Sequence, residues 1–334
     1  MSLWKTLKRG TFFWTFVLLA AFLVYIYPIQ RLTDWLNYPA LFNLPTIVGL
    51  WLLVTAVLRL SFRSSSRTLE MILYNWMGIG FVFFCLCFIY ELLRIGTILN
   101  DYWAGVGILI VGACITIFAL ATAQRLSCKQ LEFRDPRLTR KYRLVQISDV
   151  HIGSRSVGFL RRVVEVINTQ NPNLIVITGD FLDAKRVQAE DIAPLKNLKA
   201  PVYFSIGNHE RYAGLDWVIP MLEDAGVVVL RSQAVKVGEL QLIGIDDAED
   251  EDQVRRELST IELDPECFKI LLYHRPLGWE SAVASGINLM LSGHTHNGQI
   301  FPFNLLVRQQ FKRIHGLHTQ SNSHLYVSPG TGTW

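Results

Sequence analysis

Charged residues are scarce in this chain: Asp, Glu, Lys and Arg make up 18% of its 334 residues, against 51% apolar, and the mean hydropathy is +0.28. That is too apolar for one uniformly soluble domain, and the length leaves room for a sizeable soluble domain and something else. Cysteine is sparse as well. The five present are an odd number, three (Cys85, Cys87, Cys114) in apolar runs and two (Cys128, Cys267) isolated. Neither a disulfide framework nor a Cys-x-x-Cys site fits that placement, which agrees with a reducing compartment. A basic excess is missing where a nucleic-acid surface would need it. Residues 142–334 carry 18 Lys/Arg against 22 Asp/Glu, whereas residues 1–141 carry 14 against 6. No nucleic-acid partner is expected for the second part. Histidine is absent from the first 150 residues; all eight lie beyond them.

The apolar excess falls in four runs, residues 11–28, 41–60, 71–93 and 104–124. Each is long enough to cross about 30 Å of hydrocarbon. The first lacks a small-residue cleavage pattern and is followed by further spans, so it reads as a membrane helix and not a signal peptide. A four-helix transmembrane region over residues 1–124 is expected. Gly105, Gly107, Gly112 and Ala113 mark the fourth span as the one packed closest to its neighbours. Trp35, Tyr38 and Trp103 suit an aromatic belt. Lys5, Lys8 and Arg9 precede the first span, and Arg59, Arg63 and Arg67 separate the second from the third. Residues 125–141, a basic juxtamembrane connector, follow the fourth, while the opposite loops offer only Arg31 and Arg94. Positive-inside bias then gives a multi-pass protein of the inner (plasma) membrane with both termini in the cytoplasm. The connector also suits contact with anionic membrane lipids.

Beyond residue 142 the pattern changes to alternating strands and helices. Five strand-like runs each end on polar residues: Asp149-Val150-His151, Gly179-Asp180, Gly207-Asn208-His209-Glu210, Tyr273-His274 and Gly293-His294-Thr295-His296. Parallel strands interleaved with helices bring their C-terminal ends to one edge, so these groups can converge on a single crevice. Carboxylate, amide and imidazole in such number fit the demand of two divalent cations sharing a bridging carboxylate.

The ordered set D-x-H, G-D, G-N-H-E, H and G-H-T-H resembles the calcineurin-like metallophosphoesterases over residues 142–334. The resemblance implies an α/β fold, a four-layer α-β-β-α sandwich with two mixed sheets between helices. By position it implies one metal on Asp149, His151, Asp180 and His296 and a second on Asp180, Asn208, His274 and His294. His209 corresponds to a non-ligand histidine assisting the leaving group, and Asp183 and Glu210 to supporting residues. The implied reaction is hydrolysis of a phosphodiester or pyrophosphate by a dimetal-bound hydroxide held against Asp180. A donor set without thiolate suits Mn, Fe, Zn or Co, with Mn the expected choice. A phosphate-ester substrate near or linked to membrane lipid follows from the anchor. The resemblance also admits a UDP-2,3-diacylglucosamine pyrophosphatase of lipid A synthesis, or a non-catalytic membrane sensor or scaffold with a structural metal site.

Five flanking features carry narrower expectations. Residues 246–252 hold six carboxylates, read as a solvated helix start. Arg275 reads as a surface residue at a strand end, in reach of a substrate phosphate. Residues 301–307 read as ordinary core, the alternative being a greasy lip turned to the bilayer. Asn297 stands where many relatives have glycine, a mild change because Asn tolerates left-handed backbone. The sequence ends on Gly332-Thr333-Trp334, past which the family usually continues, so a shortened last strand is expected.

The topology has a direct check. An alkaline phosphatase fused after Arg125 is expected to be inactive and a green fluorescent protein fused there to fluoresce; the reverse pattern would place the domain outside.

Overall fold

Apolar runs with little charge fold as helices because burial or lipid favours them and every backbone group is satisfied internally. In the computed structural model, which describes residues 15–332 apart from 16, 40–42, 62–66, 98, 184–186, 249 and 251, they do so. Lys5, Lys8, Arg9, Arg63, Glu249, Glu251 and Trp334 lie outside the described residues. The chain divides into two compact units, Met1–Arg125 and Leu126–Trp334.

In the first unit a π-turn, Phe22–Ile26, runs directly into α1 (Tyr27–Trp35). It is followed by α2 (Leu44–Ser61), α3 (Arg67–Arg94) and α4 (Asp101–Ala123). Three stretches are long and apolar enough to span a membrane: Val17–Trp35, Met71–Arg94 and Asp101–Ala123. This supports a multi-pass membrane protein; among the described residues the remaining expected span is a shorter apolar helix, α2. The apolar part of α2 is only Leu44–Leu60. The Asn43 side chain accepts from the Thr46 N–H at 3.0 Å and caps the helix there, so it starts later than the apolar run. At 1.5 Å per residue it covers about 26 Å. Trp35, expected in a loop, instead ends α1 and is buried edge-on against Tyr90 at 4.7 Å. Small residues on α4 do permit close approach: a Cβ on Gly112 would strike the Phe83 ring, and one on Gly105 would meet Trp35. Arg31 bonds Glu91, and Arg94 lies 3.0 Å from Asp101, so both cations of the opposite loops are neutralised by neighbours.

The second unit is an α/β sandwich. The parallel strands β1 (Leu144–Ile147), β2 (Leu174–Thr178), β3 (Val202–Ser205) and β4 (Val227–Val229) form one sheet in that order. The other sheet runs β5 (Gln233–Val237), β6 (Leu240–Ile245), β7 (Phe268–Tyr273), β8 (Leu289–Ser292), β10 (Ser323–Val327), β9 (Gly316–Gln320). Only this second sheet is mixed, with the β5–β6 hairpin and β9 antiparallel. The first is wholly parallel, because each of its strands is joined to the next through a helix-bearing crossover.

Side chains alternate as strand geometry requires. Ile175, Ile177, Val202 and Phe204 face α5 (Val157–Thr169), whose Leu160, Val163, Val164 and Ile167 make one buried stripe. Leu174 and Val176 point the other way, onto Leu242, Ile270 and Leu272 of the second sheet. Each such burial contributes about 1.5–3 kcal/mol. Residues 126–141 lie along this seam: Phe133 and Leu138 pack on the inter-sheet core, and Arg137 pairs with Asp135 at 2.7 Å and reaches the Cys267 carbonyl.

Between β2 and β3 lies the short α6 (Ala189–Ile192). After β3 come α7 (Asn208–Ala213) and α8 (Leu215–Asp224), and α9 (Gln253–Leu258) and α10 (Trp279–Ala284) cover the second sheet. The last helix, α11 (Phe303–Gln310), has no buried residue, so residues 301–307 are not core. It rests on the body through Asn304, whose backbone lies against Gly298. The carboxylate run divides. Asp246 and Asp247 are buried and held by Arg231 and Arg275 at 2.7 and 2.8 Å, whereas Asp250 stands at the start of α9 with Arg256.

Candidate metal centre

The C-terminal ends of β1, β2, β3, β7 and β8 deliver the expected residues to one edge of the sandwich. Their backbone is forced. Asp149, His151, Asp180, His294 and His296 all have φ between 46° and 72°, as do Asn297 and Gln299. Each such residue costs of order 1 kcal/mol and persists only where its surroundings over-determine it. Those surroundings are visible. Asp149 N–H donates to Gly179 O and His151 N–H to Asp180 O, both at 3.1 Å, and Gly293 N–H donates to His274 O at 2.8 Å. The tail returns to the same place: Thr331 N–H donates to Ser148 O at 2.7 Å and Gly332 N–H to Asp149 O at 2.9 Å. At Gly207 and Gly293 an added Cβ would strike the carboxylates of Asp180 and Asp149 respectively. Glycine is therefore required there by the ligands themselves.

Two clusters result. The ligand atoms of Asp149, His151 and His296 lie within 4.8 Å of one another, and so do those of Asp180, His274 and His294. His151 Nε2 faces His296 Nε2 at 3.2 Å, and His294 Nδ1 faces His274 Nε2 at 3.1 Å. Asp180 Oδ2 is 3.0 Å from His274 Nε2, and Asp149 Oδ1 is 3.4 Å from His296 Nε2. Asn208, at the first position of α7, is buried, and its Oδ1 has no hydrogen-bond partner. His209 sits at the rim with a quarter of its side chain exposed, Nε2 3.9 Å from Asp180 Oδ2, and its ring lies 5.8 Å from that of the exposed Tyr212.

The charge balance favours cations. Burial alone would raise Asp180, but His274, His209 and His151 outweigh it and hold the carboxyl below its ordinary value. Burial keeps His151 and His209 below the usual imidazole range, and burial with His274 and Arg275 brings His294 down to about 2. These rings are neutral at pH 7 and offer lone pairs. His274 is the exception. Burial opposes its charge, yet Asp180, Asp149 and Asp247 prevail and lift it to about 10. Its Nδ1 donates to Thr178 O at 2.9 Å, which directs Nε2 into the cluster. Facing imidazole nitrogens, an orphaned buried amide oxygen and a nitrogen–oxygen donor set without thiolate fit divalent transition metals.

Supporting residues are specific. Glu210, fully buried, accepts from the N–H groups of Asp180, Phe181, Leu182 and Gly207 at 2.8–3.0 Å. Burial and Asp180 push its carboxyl up to about 7, while the N–H donors favour the ion. Asp183 accepts from Ser154 N–H at 3.0 Å and lies 3.7 Å from His151 Nδ1. Arg275, expected at the surface, is buried against Asp247. Asp247 itself was legible as a residue following a strand, like the ligands, but was absorbed into the acidic run. Ser148, whose hydroxyl bonds Asp149, carried no sequence signal.

Residues 142–298 match the calcineurin-like phosphoesterase family. An uncharacterised metallophosphoesterase of Aquifex aeolicus is 31% identical over 206 residues, which are 57% of this chain and 77% of that one. The chain belongs to this family. A metallophosphoesterase of Campylobacter jejuni is 32% identical over 216 residues, 62% of this chain and 58% of that one. A zebrafish transmembrane protein with a metallophosphoesterase domain is 32% identical over 252 residues, 67% of this chain and 57% of that one. The chain thus spans a little over half the length of these last two. Family and clusters together support metal-dependent phosphoesterase chemistry in general, on a chain with membrane-spanning helices.

Two outcomes are expected. His274 must lose its proton before Nε2 can hold a cation, so metal uptake releases a proton and apparent affinity falls with pH, by up to about tenfold per unit. Calorimetric titration in buffers of different protonation enthalpy measures this, and pH-independent uptake would count against it. Glu210→Gln turns an amide N–H₂ toward backbone donors and is expected to weaken metal retention about 10–100-fold. Metal content after dialysis against a chelator reads it.

Proposed function

We propose that this protein hydrolyses a phosphodiester or pyrophosphate bond at the cytoplasmic surface of a membrane, using two divalent metal ions. The observation that carries this reading is the pair of clusters at one sheet edge, Asp149 with His151 and His296, and Asp180 with His274 and His294, joined where the His151 N–H donates to Asp180 O. Asp149, His151, Asp180 and His296 would hold one ion, and Asp180, Asn208, His274 and His294 the other, with manganese the first to test. When bound, the pair supplies an acidified water and neutralises phosphoryl charge.

The chain's own groups do the rest. Asp180 Oδ1 accepts from the His209 backbone N–H at 2.9 Å, so the carboxylate that both ions would share and the rim histidine are positioned by one bond. His209, partly open to solvent and beside Asp180, would take up a proton as the negatively charged ester enters and pass it to the departing oxygen. The buried walls, Ser148, Glu210 and Asp247 among them, keep the ligand carboxylates oriented and dry.

Asp180→Asn and His294→Ala are each expected to lower turnover of a chromogenic phosphodiester by the full-length, membrane-inserted chain to background. His209→Ala should cost about 10²-fold with a poor leaving group and much less with a good one. Unchanged turnover in the first two variants, with metal still bound, would leave a structural metal site instead.

A further inference from the structure

We propose that α11 and the turn before it form a membrane-docking lip that seats the metal centre on an anionic lipid surface, so that the ester it takes is carried by a lipid headgroup. The docking stands on the surface described below; the substrate class rests on the hydrolytic reading above.

The lip is apolar and uncovered. Phe301 is 76% exposed, Phe303 50%, Leu305 52% and Leu306 56%, within six residues. Asn304 sits against Gly298, so Leu306 projects from the opposite side of the helix and Leu305 from its flank, both exposed. Exposed apolar patches of this kind mark interaction sites.

Charge selects the partner. Arg308, Lys312 and Arg313 lie in and just after the helix, and the sequence from 281 to its last residue contains no Asp or Glu. Residues 142–334 as a whole carry 22 acidic residues, so this region stands apart from an acidic domain. Arg313 pairs with Glu280 at 3.0 Å, and Lys312 is exposed. Leucine and phenylalanine backed by long cationic side chains match the boundary between acyl chains and anionic headgroups.

The chain keeps such a surface within reach. Membrane-spanning α4 ends at Ala123 and β1 begins at Leu144. Of the residues between, 126–141 pack on the second unit, so only a short stretch of chain joins that unit to the membrane-spanning helix.

The lip also touches the chemistry. It begins five residues after His296, and Phe311, buried at the end of α11, packs edge-on against the His294 ring at 5.3 Å. A bilayer under α11 would therefore present headgroups beside the metal ligands.

The test uses the full chain, one copy per nanodisc, with Leu305→p-benzoylphenylalanine and, as control, Val228→p-benzoylphenylalanine at an exposed site on β4. Irradiation should give lipid adducts at 305 at least tenfold above 228. Arg308→Ala with Lys312→Ala should reduce them severalfold in phosphatidylglycerol discs but not in phosphatidylcholine discs. Equal adducts at both sites, or adducts with a second copy of the chain when two share a disc, would overturn the docking. In a second arm, Leu305→Ser with Leu306→Ser should lose at least tenfold on a vesicle-borne fluorogenic phosphodiester and keep turnover of its short-chain soluble counterpart. Equal loss on both would overturn the substrate assignment. Adducts at 305 with no hydrolysis of either ester would leave the lip standing and remove the hydrolytic reading.

Discussion

One buried carboxylate holds the centre together. Glu210 collects four backbone N–H groups, one from the turn after β3 and three from the turn after β2. Those turns carry Asp180 and Asn208, which must sit in fixed relation if one oxygen set is to serve two ions. A left-handed Asp180 is unfavourable on its own; the anchored N–H groups on either side make it the only arrangement that satisfies a buried Glu. Remove the anchor and the strain has nothing to oppose it.

From that point the electrostatics follow. Carboxylates at 180, 149 and 247 surround His274 and charge it, while His151, His209 and His294, buried and pushed by that charge, stay neutral. Taking up cations would cost the site the His274 proton, while His151 and His294 already offer lone pairs. Arg275 belongs to this balance as the buried partner of Asp247, two strands brought side by side by the β6–β7 pairing.

Much of this was legible in the sequence, and for identifiable reasons. The gathering of these side chains at one edge was readable because a strand end fixes where the next side chain goes, and the five runs are followed by Asp, Asn or His. The amphipathic period of α5 and the β5–β6 glycine turn gave their elements closely. Context hid the remainder. Asp247 looked solvated because five other acids surround it in sequence, though only burial separates it from Asp250. The α2 helix was read too long because hydropathy does not register that Asn43 prefers to cap. Residues 301–307 looked like core because composition cannot say which side of a rim helix faces inward. Strands β9 and β10 were missed because alternation in Ser323–Val327 is carried by Ser, Leu and Val, too few apolar residues to stand out.

The tail that pairs with Ser148 and Asp149 reaches across 183 residues of sequence. Contacts that distant form late, after the loop between them has been closed. A nascent chain that has already threaded its helices into the bilayer and made β1 through β8 still lacks the brace on its first aspartate. The backbone that presents Asp149 therefore gains its last partners only once residues 331 and 332 have been made.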